Sequence, residues 1–159
     1  MAAIRYLKGD ATAPQASGVK IVAHVCNDIG KWGAGFVLAV SARWPEPEAE
    51  YRKWYAAGKG GGFELGAVQL VQVEPHIAVA NMIGQRGIKT GSNGPPIRYP
   101  AVGQCLARVG EAARLAGASV HMPRIGCGLA GGKWEQIEPL IEAHLTGRGV
   151  EVTVYDFAK

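Results

Sequence analysis

The chain has 159 residues, 48% of them apolar and 19% charged, with a net charge of +4. Those proportions describe one folded domain spanning 1–159 with a real core, and they exclude a disordered or collagen-like chain. The mildly basic balance suits a phosphate-bearing ligand as well as it suits ordinary solvated Lys and Arg. No Lys/Arg run is long enough to argue for a nucleic-acid groove, so no specific nucleic-acid partner is expected.

Cys26, Cys105 and Cys127 are odd in number and lack C-x-x-C spacing, so neither a disulfide framework nor a zinc site is indicated and no metal is expected. The N-terminal MAAIRYLKGD has no apolar core of a leader, and no apolar run is long enough to span a membrane. A reduced, cytoplasmic setting without a membrane partner is the expectation.

In chain order, the apolar pattern predicts strands at 3–8 and 19–25, then helices at 33–43 and 46–57, the second opened by Pro47. The Gly-rich stretch 56–66 reads as a flexible connection into a strand at 67–73, whose apolar and polar residues alternate as in a half-exposed strand. The next strand, 76–83, is almost continuously apolar, like 19–25, as befits strands covered on both faces. GQRGIKTGSNGPPIRY, 84–99, is too long and too rich in Gly and Pro for a bare connector; it is either a functional loop or a disordered one. A helix at 100–116 stops at Gly117, a strand follows at 118–123, and a helix at 134–146 holds Pro139, which should bend it early. A last strand spans 150–157. This alternation predicts a three-layer α/β domain around a mixed six-stranded sheet.

Gly126-Cys127-Gly128-Leu129-Ala130-Gly131 satisfies G-x-G-x-x-G between a strand and a helix. A P-loop is excluded: six residues before Lys133 stands Cys127, and Trp134 follows where Ser or Thr is required. A nucleophile elbow on Cys127 fails because Ile125 and Leu129 stand where it needs glycine. A dinucleotide fold needs several further strand–helix units, whereas the chain after Gly131 holds one helix and one strand. What the motifs share survives: glycines admit an anion to the backbone, and loop N–H groups and a helix start supply positive potential. A second Gly-rich turn, AHVCNDIGKWGAGFVLAVSARWP at 23–45, repeats the pattern, and two such loops can converge at the carboxyl edge of a sheet.

With YLKGD, AHVCNDIGKWGAGFVLAV, ANMIGQRG, MPRIGCGLAGGKWE and VTVYDF in this order across nearly the whole chain, the sequence resembles a macrodomain. The subgroup it resembles includes ADP-ribose-1''-phosphate processing proteins and the terminal ADP-ribose–protein glycohydrolase. The resemblance implies an α/β/α sandwich binding ADP-ribose across the sheet's carboxyl edge, with no cofactor. Asp10, beside Ala11, would accept a hydrogen bond from the adenine amino group, and Tyr155 would pack on adenine or else be a core tyrosine. Gly126, Cys127, Gly128 and Leu129 would wrap the diphosphate, with Ile125 in the wall. Gly33, Ala34 and Gly35 would close the distal ribose, with Asn27 near its hydroxyls. Lys31 or Trp32 would cover it, or Trp32 would simply pack.

The glycohydrolase of this subgroup uses a lysine and an aspartate at positions that read Gln85 and Ala130 here. An amide is no amine nucleophile and alanine offers neither acid nor base, so the lysyl-adduct route does not transfer. Gln85, Asn27 and Asp28 remain as catalytic candidates, with Arg86 and His24 behind them; His24 fits a satisfied core histidine better than a base. Arg124 either contacts ligand or pins the strand end. The resemblance therefore implies a hydrolase that removes mono-ADP-ribose from Glu or Asp side chains of proteins, or processes related esters. The alternative is a module that binds ADP-ribose without chemistry. Its partners would be ADP-ribose and mono-ADP-ribosylated proteins.

Overall fold

The computed structural model describes residues 3–88, 94–128 and 130–157. Its strands are β1 (Arg5–Lys8), β2 (Lys20–Asn27), β3 (Val68–Glu74), β4 (Ile77–Gln85), β5 (Ser119–Met122) and β6 (Val152–Asp156). Its α-helices are α1 (Phe36–Arg43), α2 (Glu46–Ala57), α3 (Tyr99–Ala116) and α4 (Trp134–His144). The strands form one mixed sheet in the order β1-β6-β5-β2-β4-β3, parallel throughout except for β3, which runs antiparallel at the edge.

Each predicted strand is present, and the burial follows its pattern. β2 and β4 are buried along most of their length, while β3 keeps Leu70 and Gln72 exposed at the edge. Alternate residues of β2 feed two cores. Ile21 and Ala23 join Leu106, Val109, Ile137 and Ile141 under α3 and α4, and Val22 and Cys26 join Trp32, Val40, Trp44 and Tyr51 under α1 and α2. These are the outer layers of the three-layer sandwich.

α1 begins at Phe36, not at 33, because Gly33 and Gly35 take φ of 79° and 88°, outside the helical region. α4 contains Pro139, as expected, and keeps Ile137 and Ile141 fully buried. The 56–66 connection holds a short 3-10 turn at Lys59–Gly61, tied down by Trp54 Nε1 donating to the Gly61 carbonyl at 3.0 Å. It lies away from the cleft described below.

The order of the strands places the site. From β2 the chain leads through α1 and α2 to β4 on one side, and α3 then returns it to β5 on the other. β2 is thus followed by α1 on one face and its neighbour β5 by α4 on the opposite face. Their carboxyl ends diverge and leave a crevice, the position where open α/β sheets take ligands.

Candidate functional site

The loop after β2 is built around Asn27, which is buried. Its Oδ1 accepts the N–H groups of Ile29 (3.0 Å) and Lys31 (3.2 Å) and lies 2.8 Å from the Tyr51 hydroxyl, while Nδ2 donates to the Lys31 carbonyl. Trp32 turns inward, its Nε1 donating to Ser41 Oγ at 2.7 Å, so it packs and does not cover a ligand. Past Gly35, the first N–H groups of α1 at Phe36 and Val37 have no intrahelical acceptor.

The loop after β5 folds back on itself. The Gly132 N–H donates to the Gly126 carbonyl at 2.7 Å, Gly131 N–H to Gly128 at 3.0 Å, and Cys127 N–H to Arg124 at 3.2 Å. Gly126, with φ of 71°, has no room for a side chain: a Cβ there would lie 2.6 Å from Ile97 Cδ1. Gly128 stands clear, with nothing within 4 Å of where its Cβ would be. Among the described residues the N–H groups of Gly126 and Gly128 meet no protein acceptor.

Between these loops lie two adjoining cavities. The larger, about 700 Å³, is lined by Gly9, Ala11, Ala39, Cys127, Tyr155, Asp156 and Phe157. The smaller, about 180 Å³, reaches down to His24, Val25, Gln85, Ile125, Gly126 and Ala130. Gly35 and Phe36 on one side, and Pro123, Arg124 and Gly128 on the other, line both. The larger volume falls in the range of small-molecule sites.

Of the residues expected from the sequence, Ala11, Gly35, Cys127, Gly128 and Tyr155 border the larger space, and Ala34, Gln85, Ile125 and Gly126 the smaller. Leu129 lies outside the described residues. Lys31 and Gly33 are exposed on the loop and border neither cavity. Asn27 holds its own loop, Oδ1 accepting backbone N–H groups and one Nδ2 hydrogen going to the Lys31 carbonyl, and it borders neither cavity. Asp28 also serves structure: its Oδ1 accepts the Gly87 N–H at 2.8 Å, joining the loops after β2 and β4. Asp10 forms a turn, Oδ1 taking the Thr12 N–H at 2.8 Å and the Thr12 hydroxyl at 2.7 Å, between cavity-lining Gly9 and Ala11. Gln85 donates through Nε2 to the Gly87 carbonyl at 2.9 Å.

Tyr155 is 2% exposed, and its hydroxyl lies 2.8 Å from both the Gln15 N–H and His121 Nδ1. The open aromatic of this cleft is Phe157, 73% exposed, which the sequence reading passed over. The signal was present: residues two apart on an extended segment share a face, so Tyr155 and Phe157 point the same way. Arg124 does pin the strand end, through a bidentate pair with Asp156. That hydrogen-bonded guanidinium holds the Asp156 carboxyl below its ordinary range. Burial pushes the Cys127 thiol up, against the pull of Arg124. Among the described residues no group of three or more His, Cys, Asp or Glu is arranged to hold a metal ion, and no helix is long and apolar enough to cross a membrane.

No family model matches the chain. The structure of a macrodomain protein from Streptomyces coelicolor is 58% identical, superposes with a TM-score of 0.88, and covers 98% of this chain and 100% of that one. The chain belongs to the macrodomain family. This macrodomain is also 34% identical over 166 residues to Chromodomain-helicase-DNA-binding protein 1-like of Danio rerio, covering 99% of the chain but only 16% of that protein's length. Over 168 residues it is 25% identical to an ADP-ribose 1''-phosphate phosphatase of Meyerozyma guilliermondii, with 91% of this chain and 95% of that protein covered.

Proposed function

We propose that this macrodomain binds ADP-ribose in the paired cavities and hydrolyses mono-ADP-ribose esters of acidic protein side chains, or related esters. The observation that carries the reading is the shared wall. Two glycine-bearing loops, at Gly35–Phe36 and at Gly128, meet where a larger, apolar chamber opens into a smaller one. A diphosphate at that junction faces backbone N–H groups and a helix start, which suit an anion without a basic cluster. The adenosine then occupies the larger chamber against Phe157, and the distal ribose enters the smaller one beside Gln85. The relative named as an ADP-ribose 1''-phosphate phosphatase supports the same class of ligand.

The chemistry asks little of the protein. Water is added across the ester linkage, the side-chain carboxylate departs, and the proton passes to solvent. Positioning of the ribose and polarisation of one water supply the acceleration, with Gln85 orienting that water or holding a ribose hydroxyl. No covalent lysine intermediate is involved. A second reading, binding without turnover, is favoured by one observation: Asn27 and Asp28 both hold loop backbone, and Ala130 provides no acid or base. Incubation with protein carrying Glu-linked mono-ADP-ribose separates the two. Release of free ADP-ribose supports the hydrolase; tight binding with no release leaves the binding module.

A further inference from the structure

At the end of the sheet away from the cleft, the starts of β1, β2, β5 and β6 frame a further cavity of about 600 Å³. Arg5, Ser119 and Glu151 line it from the strand ends, Arg114 from the last turn of α3, and Gln15 and Ser17 from the segment leading into β2. Its size falls in the range of small-molecule sites.

One wall of this cavity carries a hydroxyl with a hydrogen to give. Ser119 Oγ lies 2.8 Å from His121 Nε2, and His121 Nδ1 lies 2.8 Å from Tyr155 Oη. The backbone N–H of Gln15 can only donate, and it donates to the same tyrosine oxygen at 2.8 Å. The phenol hydrogen is left for His121, so Nδ1 accepts. With Nδ1 protonated instead, that buried hydrogen would lose its acceptor, a costly exchange. Burial keeps the ring neutral, with its pKa pushed down to about 4, so its single hydrogen sits on Nε2 and goes to Ser119 Oγ. The Ser119 hydroxyl keeps its own hydrogen for another partner.

The charge at this end is mainly positive. Besides Arg5 and Arg114, Lys20 stands in register with Ser119 at the start of β2. The charges of Lys20 and Arg5 add to the depression of the His121 pKa, so their field reaches the relay. Arg114 meets Glu111 at 3.3 Å in a half-exposed pair, a contact weak enough for an anion to displace. The Ala113 and Arg114 carbonyls are taken by the N–H groups of Gly117 and Ala118, which blunts the negative end of α3. Glu151 is the one carboxylate in the lining.

We propose that this cavity binds a small hydroxyl-bearing phosphate monoester, a sugar phosphate in chemical class, with Arg5, Arg114 and the Ser119 O–H holding the phosphate. Two guanidinium groups and a neutral O–H donor suit a phosphate group. A lone phosphate would leave most of the volume empty, and Glu151 accepts from hydroxyl groups of the organic part. The site is separate from the cleft and does not depend on what the cleft binds.

Calorimetry and histidine NMR titrations with ribose 5-phosphate, inorganic phosphate and chloride at matched ionic strength test it. The His121 signal is assigned through its contact with the Tyr155 ring, 5.8 Å away between centroids. Ribose 5-phosphate should bind saturably and raise the pH at which His121 titrates, because the anion offsets Lys20 and Arg5. Inorganic phosphate should bind several-fold more weakly, and chloride should do neither. The double variant Arg5→Gln, Arg114→Gln changes two exposed side chains and should melt like the parent. It should lose roughly tenfold or more in affinity for ribose 5-phosphate, with ADP-ribose affinity unchanged. Unchanged ribose 5-phosphate affinity in that variant overturns the proposal, since the ester would then sit elsewhere and reach His121 through Tyr155. No saturable response of the parent protein overturns it as well. Equal affinity for inorganic phosphate overturns the ester and assigns the site to the free anion. Failure of ADP-ribose to bind would overturn the proposed function and leave this site standing.

Discussion

Arg124 and Asp156 meet fork to fork, Nε to Oδ1 at 2.8 Å and the second guanidinium nitrogen to Oδ2 at 3.0 Å. The pair ties the loop after β5 to the last residue of β6, and the guanidinium lies 4.9 Å from the ring centres of both Tyr6 and Trp134. Arg124→Lys keeps the charge but loses the fork and the planar stack. The side chains are 37% and 47% exposed, so the melting temperature should move by less than about 3 °C. Affinity for ADP-ribose should fall roughly three- to tenfold as the loop loses its anchor. Calorimetry showing unchanged affinity would mean that the loop keeps its shape without the pair.

The two aromatics at the end of β6 should separate binding from stability. Phe157→Ala removes the open face of the larger cavity and should weaken ADP-ribose binding by roughly 1–3 kcal/mol, the scale of one stacked base, with no loss of thermal stability. Tyr155→Phe should do the reverse. It strips the partner from the Gln15 N–H and His121 Nδ1, costing about 1 kcal/mol of stability, and leaves binding nearly intact. Binding data with the two effects exchanged would restore Tyr155 as the adenine platform.

Two glycines two positions apart in the same loop predict opposite failures. Gly128→Glu has open space to occupy, so the domain should stay folded while the carboxylate fills the junction and repels a diphosphate. Gly126→Ala forces a side chain onto Ile97 at a positive φ and should lower stability by about 1–3 kcal/mol. Circular dichroism melts alongside ADP-ribose titrations distinguish them; a folded Gly128→Glu protein that binds normally places the diphosphate elsewhere.

Gln85→Ala should lower turnover more than it lowers ADP-ribose affinity, because its proposed work is done beside the distal ribose. Borohydride added during turnover should trap no adduct. A trapped lysine adduct would assign the nucleophile's role to another lysine, Lys31 for example.

Acid should destabilise the domain in a defined window. Burial holds His24 and His121 near pKa 4, His121 with help from Lys20 and Arg5, against an ordinary value of about 6.5. The unfolded chain takes up protons below about pH 6.5 that the folded chain refuses, so this stability is full above 6.5 and is lost as the pH falls towards 4. Urea midpoints measured from pH 7 to 4.5 should fall steadily. A flat profile would contradict neutral, buried histidines.

The architecture was legible because its signals are local. The apolar runs of β2 and β4 demanded cover on both faces, and Pro47 and Gly117 marked where helices start and stop. The start of α1 was misplaced because two glycines at positive φ delay a helix that apolar spacing alone cannot time. The glycines also marked both loops of the site. What they could not convey was how polar side chains divide their bonds in space. Asn27 and Asp28 read as catalytic, and in the structure each accepts backbone N–H groups of its own or a neighbouring loop, a structural role that residue type alone does not reveal. Asp10 is engaged with Thr12. His24 read as a satisfied core residue, and in the structure its Nε2 meets Asn81 Oδ1 at 2.6 Å while buried Nδ1 has no protein partner.

The measurement that bears most directly on the central claim is a calorimetric comparison of ADP-ribose with AMP on the same protein. If adenosine, diphosphate and distal ribose each have their place in the two joined cavities, ADP-ribose binds in the micromolar class and AMP far more weakly. Equal affinities would mean that the junction at Gly35 and Gly128 and the chamber beyond it contribute nothing, and the account would fail.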